Sequence, residues 1–445
     1  MSNKRKNLIF MVIVVTCILC SMLSTALTTA LPSIMEEFQI SEATCQWLTS
    51  IYSLVMGILV LATAFLIERF KTKGLYLVSL GIFTVGILLD AFTGSFTVMM
   101  LGRILQAAGN GILLSLGQVI LLTIFEKEKQ GSVMGVYGLA VAAAPVVAPT
   151  LAGIVVDAFG WRMIFYILLV ISAIALLFTA VTFDNVLENE KIAFDALSLM
   201  LCAVGFIGLL LGMGNIGSKA FFSTHVCLPL LIGAAACAGF VYRQLHMELP
   251  FLNLRILAVP QYASAVIASM ILYAFLMALS VLAPLYIQSV CGYSATVSGM
   301  AMIPGSIAMA VINPIAGKIY DKMGIKKIFL VGALLMAGSA AGMAVMKADT
   351  PLMVFTILNV FRNISTGMLM MPFVTWGMGS LKQQDVAHGT SLLTSLRTIA
   401  GAFGVAIFMV IVTLHGMTAA FLGLLLLGIT EVLLWFYAAF YLERR

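Results

Sequence analysis

Apolar residues run along this chain in blocks of about twenty, broken by short polar interruptions, and they do not alternate with polar ones at the period of a half-buried strand. A block of that length can cross a hydrocarbon layer as one helix, because a helix closes its own backbone hydrogen bonds where no water can. The pattern predicts crossings near 8–30, 46–67, 75–93, 96–124, 131–157, 162–183, 196–217, 223–242, 262–288, 297–316, 328–347, 350–377, 389–413 and 418–440, fourteen in all.

Composition agrees with that solvent: 62% of residues are hydrophobic and 9% charged, against roughly 45–50% apolar in a soluble domain. Cytoplasmic loops retain Lys and Arg. With the N terminus inside, eighteen of the 24 Lys and Arg fall on the cytoplasmic side, Arg162, Lys219 and Lys347 fall outside, and Arg103, Arg362 and Arg397 lie within crossings. Both termini are then cytoplasmic. The net charge of +6 reports this topology, and no basic tract suggests a nucleic-acid partner. The first apolar run follows Lys4, Arg5 and Lys6 as a signal peptide would, but it is longer than an h-region, so it reads as an uncleaved first helix. The seven Cys sit mostly inside crossings, and the one CxxC, Cys17 to Cys20, has no His at ligand spacing. No metal site or cofactor is expected.

One polar interruption repeats. AFLIERFKTK (64–73) returns 253 positions later as GKIYDKMGIKK (317–327), with Glu68 matching Asp321 and Arg69 matching Lys322. Both copies lie in cytoplasmic loops between the second and third helices of a six-helix half, once the seventh and eighth crossings count as an insertion. Here the chain resembles the major facilitator superfamily, whose loop signature reads G-x-L-x-D-R-x-G-R-K. It is similar to the fourteen-helix drug:proton antiporter branch in further stretches: TALPSI with Gln46, Trp47 and Tyr52; RILQAAG (103–109) for R-x-x-Q-G-x-G; APVVAPTLAG (144–153) for A-P-x-x-G-P-x-x-G-G; WRMIFYI at 161; AFDALSLML at 193; and HGTSLLTSLRTIAGAFG at 388.

The resemblance implies an all-α polytopic major facilitator fold of 6 + 2 + 6 transmembrane helices with pseudo-twofold related halves. Its parts are an N-terminal half at 1–183, an inserted pair with a cytoplasmic linker at 184–259, and a C-terminal half at 260–445. Stretch 245–259 reads as a linker lying along the membrane face, beginning polar and ending apolar. It further implies a cytoplasmic gate of Glu68, Arg69, Gly317, Asp321, Lys322 and Gly324. Independently of any family, a carboxylate at a helix end can pair with Arg, Lys or a neighbouring helix N terminus, and such a latch can bias a two-state transporter. The plainer alternative is that these residues cap helices and enforce topology.

Polar side chains inside crossings normally turn toward protein or water. Arg103, Gln106 and Asn110 follow i, i+3, i+7 in the fourth crossing, and Asn359, Arg362, Asn363 and Thr366 follow i, i+3, i+4, i+7 in the twelfth. With the insertion removed these crossings are equivalents, so the stripes would face a central cavity, joined by Thr390, Thr394, Arg397 and Thr398 in the thirteenth. Interhelical hydrogen bonding is the alternative for the hydroxyls and amides. Pro145, Pro149 and Gly153 mark a hinge by the resemblance, with Ala148 and Ala152 where that branch usually shows Gly. Met368, Met370 and Met371 offer adaptable apolar surface or ordinary filling.

A proton-driven exporter needs a buried carboxylate that exchanges protons. The branch usually carries one in its first helix, yet this chain has Leu23 there, with Thr28 at a usual Asn, Leu168 at another and Lys71 at a loop Gly. Asp90 and Asp157 lie near the outer ends of their crossings, where water should reach them. Glu431, in mid-crossing, is the expected coupling residue, with a structural pair to Arg397 as the alternative. Three arginines and few acids favour anionic, zwitterionic or neutral amphiphiles. No HExxH, GxSxG or phosphate-binding loop occurs, so an enzyme is not expected. The expectation is a bacterial cell-membrane exporter of drugs or amphipathic molecules, monomeric and in exchange for protons. A uniporter or symporter for one metabolite, and a transport-dead sensor, remain open.

Overall fold

The computed structural model describes residues 2–187, 195–215, 222–247, 250–347 and 349–442. All regular structure among them is helical: α1 (Asn3–Phe38), α2 (Glu42–Arg69), α3 (Thr72–Ala91), α4 (Phe96–Ile124), α5 (Lys127–Phe159), α6 (Arg162–Thr182), α7 (Ala196–Gly214), α8 (Thr224–His246), α9 (Pro260–Leu285), α10 (Ala295–Met323), α11 (Ile325–Ala344), α12 (Leu352–Gly379) and α13 (Val386–Tyr437), with short 3-10 and π turns. Lys191, Lys219, Arg444 and Arg445, used above to orient the chain, lie outside the described residues.

Helix starts follow local chemistry. Ser2, Ser41, Ser95 and Ser294 each stand at an N-cap, where the hydroxyl accepts an amide that the first turn leaves unpaired. Pro260 opens α9 at a position whose missing N–H costs nothing. Apolar faces left outside the packing fit a lipid solvent. α6 buries Phe165, Leu168, Ser172, Ala175 and Thr179 while Val170, Ile174, Leu177 and Val181 stay exposed along one face.

Among the described residues, twelve helices are long and apolar enough to cross a membrane, against the fourteen expected crossings. The difference lies in two places. The last two crossings run as one element, broken at Gly416, whose φ of 83° and ψ of 174° suit only glycine. The helix Lys127–Phe159 is not among the twelve. The narrow gap between the third and fourth crossings is present, from Ala91 to Phe96. α1 runs past its expected end at residue 30 to Phe38, with Pro32 inside it.

The chain divides into two compact units, Met1–Phe125 with Ala140–Ala196, and Glu126–Leu139 with Leu197–Arg445. In the first, α3 packs on α4 and α6, α2 on α4, and α1 on α6. One end is tied by Glu37, which accepts from Trp161 Nε1 at 2.8 Å and from both terminal nitrogens of Arg162 at 2.7 and 2.6 Å, while Arg162 also donates to the Thr93 carbonyl at 2.8 Å. The Arg162 guanidinium holds the Glu37 carboxyl below its ordinary range, helped by Trp161 and opposed by partial burial.

In the second unit α9 packs on α12 and α13, α10 on α12, and α11 on α12 and α13. The linker stretch is docked into this unit over part of its length. Phe251, Leu252, Leu254 and Ile256 are buried, the Leu252 amide donates to Gln244 at 2.9 Å, and Asn253 donates to His388 Nδ1 at 3.2 Å and to Asp385 at 3.1 Å. Apolar side chains on alternate positions found protein to pack against, which periodicity over so short a segment does not reveal. Residues 248 and 249 lie outside the described residues.

Candidate functional site

The first unit contains a buried polar chain crossing three helices. Arg103 of α4 is fully buried; its Nε donates to the Leu48 carbonyl of α2 at 3.2 Å, its guanidinium carbon lies 4.2 Å from the centre of the Tyr52 ring, and its Nη1 donates to Gln106 Oε1 at 2.8 Å. The Gln106 amide then donates from Nε2 to Asp90 Oδ2 at 2.7 Å. One helical turn on, Asn110 donates to the Tyr52 hydroxyl at 2.7 Å. The i, i+3, i+7 stripe expected on the fourth crossing is thus one continuous network.

Asp90 corrects the sequence reading. Although it sits at the end of its helix, it is fully buried, because α4 covers it. The cover is close: a Cβ on Gly102 would overlap the Asp90 carboxylate and lie 2.9 Å from the Gly86 carbonyl. Asp157 is exposed, as its position at a crossing end suggests. A signal for Asp90 was available in the small residues Gly86 and Gly102, which permit close helix approach.

The second stripe is built differently. Arg362 donates to Asn359 Oδ1 at 3.2 and 2.9 Å, Asn363 to the Asn359 carbonyl at 2.8 Å, and Thr366 to the Arg362 carbonyl at 3.1 Å, so α12 bonds mostly to itself. All four are buried. Arg397 on α13 is buried with its guanidinium carbon 5.6 Å from the Tyr273 ring centre, and Thr394 is buried beside it in sequence. Met368 and Met371 are buried too, and Met370 is partly so.

At the repeated loop, Asp321 accepts from the Gly131 and Ser132 amides, each at 2.7 Å, and from the Ser132 hydroxyl. Gly317 meets Gly131 so closely that a Cβ on Gly317 would lie 2.8 Å from the Gly131 carbonyl carbon. Gly324 joins α10 to α11 with φ 69° and ψ −171°, a conformation reserved for glycine. Lys322 and Arg69 are exposed, and Glu68 is half-buried. Gly131 and Ser132 escaped sequence reading because nothing local links them to a residue 190 positions away. Pro145 and Pro149 lie within α5 with side chains outside the described residues, and a Cβ on Gly153 would meet Thr29 at an ordinary 3.5 Å. Ala148, Ala152 and Leu168 are buried, as is Leu23 at the usual acidic position; the Thr28 side chain lies outside the described residues.

Glu431 is fully buried, and neither carboxylate oxygen has a hydrogen-bond partner among the described residues. The alternative pair with Arg397 is not formed. Its turn lies on α11, with Gly428 against Ala337 and Trp435 Nε1 donating to the Lys326 carbonyl at 2.8 Å.

Helices of membrane-crossing length that bury arginines and a hydrogen-bonded carboxylate are those of a polytopic membrane protein. Residues 13–405 match the Major Facilitator Superfamily profile, and the chain belongs to that family, as a secondary transporter and not an enzyme. It is 34% identical over 427 residues to YcnB of Bacillus subtilis (strain 168), an uncharacterised MFS-type transporter, covering 93% of this chain and 90% of that one. It is 32% identical to the lincomycin resistance protein LmrB of Listeria monocytogenes, covering 87% and 83%. The human organic anion transporter MFSD10 shares the fold at a TM-score of 0.72 and 14% identity, over 98% of this chain and all of that one.

Proposed function

We propose that the chain exports drugs or amphipathic small molecules across a bacterial cell membrane by alternating access, in exchange for protons. The observation that carries this reading is the burial of three arginines, Arg103 and Arg362 with amide partners and Arg397 against the Tyr273 ring, in helices whose other faces suit lipid, since such groups in a membrane mark solute and proton pathways. The likeness to a lincomycin resistance protein supports drugs as the substrate class. Within this reading the protein is a member of the fourteen-helix drug:proton antiporter branch, a 6 + 2 + 6 arrangement with parts at 1–183, 184–259 and 260–445. Gly416 separates the last two crossings, both termini are cytoplasmic, and the functional unit is one chain. The cationic stripes favour anionic, zwitterionic or neutral amphiphiles. The Asp321 contacts with Gly131 and Ser132 support a cytoplasmic gate formed by the repeated loops.

The test is substrate-evoked proton movement in proteoliposomes under an imposed pH gradient, with lincomycin, anilinonaphthalene sulfonate, phenylnaphthylamine and ethidium as probes. Proton flux evoked by one or more probes supports the reading. Probe movement without proton flux overturns it in favour of a facilitator, the second reading that Leu23 at the usual acidic position favours.

A further inference from the structure

We infer that Asp90 is the proton-exchanging carboxylate of this transporter, acting through Gln106 on Arg103. This rests on the proton-exchange reading above and names the group that performs it. Leu23 removes the usual first-helix acid, so another buried carboxylate has to carry the proton.

Three geometric observations single out Asp90. First, it is connected: a single amide stands between the carboxylate and a fully buried guanidinium, accepting from Arg103 and donating to Asp90. Proton uptake there changes the charge of the linked pair from zero to +1, which changes what Arg103 must bond to. Arg103 is bonded in turn to the α2 backbone at Leu48, so a local charge change reaches a neighbouring helix. Second, the network is incompletely satisfied. Among the described residues Asp90 Oδ1 and Arg103 Nη2 are buried without a partner, and buried groups of this kind are costly enough that a rearrangement that satisfies them is favoured. A direct carboxylate–guanidinium pair would be locked; an amide-bridged one with an open oxygen can accept a proton and let go. Third, the helix end that carries Asp90 leads to a half-exposed ion pair: the Thr93 carbonyl, three residues on, accepts from Arg162, which is paired with Glu37.

The charged and titratable groups around Asp90 are few. From α4 it faces Arg103 across Gln106, and from α2 Tyr52 lies under that guanidinium. α6 contributes Arg162, held at Thr93 with Glu37 of α1, and otherwise the hydroxyl pair of Ser172 with Thr84 of α3. The step itself is balanced. Asp90 takes one proton from water on one side, its Gln106 link weakens as the carboxylate becomes neutral, and the same proton leaves to water on the other side after the protein changes state.

The experiment uses the full chain in proteoliposomes with the same four probes, comparing parent, Asp90→Asn and Glu431→Gln. The expected result is a loss of at least tenfold in pH-driven probe movement in Asp90→Asn, larger than any loss of probe exchange at equal pH. Retained drive in Asp90→Asn, or drive lost only in Glu431→Gln, overturns the inference and leaves proton exchange standing. A parent without pH-driven movement overturns the exchange reading, and the inference with it. Should Asp90→Asn lose exchange as well, Gln106→Leu decides: a pH profile of transport displaced by one unit or more supports the relay, and an unchanged profile overturns it.

Discussion

Asp90 and Glu431 are both fully buried carboxylates in membrane-spanning helices, one in each unit, yet their surroundings share almost nothing. Asp90 is joined to an arginine through an amide and lies under a glycine that makes room for it. Glu431 is packed against α11 with no donor on either oxygen among the described residues. Burial alone is therefore a poor guide to use. A carboxylate works when a change in its charge is felt by something that can move, and only Asp90 has such a listener.

The comparison can be broken most forcefully at its cation. Arg103→Ala strands Asp90 and Gln106 in a buried site, and the expected loss of stability is on the order of 3–5 kcal/mol, read as a lowered melting temperature in detergent; an unchanged melting curve means that the network carries no weight. Gly102→Ala tests the room made for the carboxylate. The added methyl meets Asp90 and the Gly86 carbonyl, and the expected cost is about 1–3 kcal/mol. Glu431→Leu sharpens the contrast from the other side, because removing an unpartnered buried acid should stabilise by about 1–2 kcal/mol. Destabilisation there would reveal a partner for Glu431 and make the two acids alike.

The smallest effect concerns Glu37, a carboxylate that is paired but half-exposed. Its proton affinity is lowered by Arg162 in the folded state, so its contribution is present above the unfolded pKa and lost as pH falls through the lower folded one. Being partly screened it is worth below about 1 kcal/mol, and Glu37→Gln should flatten the acid limb of the stability profile by that amount. A profile as steep as the parent's would show that the pair adds nothing.

Much of this was legible in the sequence. The spacing of Arg103, Gln106 and Asn110 placed them on one face, and the repeat of Glu68 at Asp321 marked a carboxylate at a helix end. Helical periodicity reports direction, and those readings needed only direction. Asp90 needed depth, and its distance from a helix end said nothing about what lies across it. Its burial comes from α4, through Gly86 and Gly102. Likewise the donors to Asp321 lie on α5, and the linker residues Phe251 and Leu252 are buried by contacts remote in sequence.

The orientation of the Gln106 amide has a consequence for natural variation at this site. Its oxygen answers Arg103 and its nitrogen answers Asp90, so position 106 needs both a donor and an acceptor on one short side chain. Glutamate would set two acids face to face, and leucine would leave both neighbours unanswered. Relatives that change residue 106 should therefore also change 90 or 103, and a chain found with aspartate, glutamate and arginine at the three positions would have to hold a shared proton between its two acids.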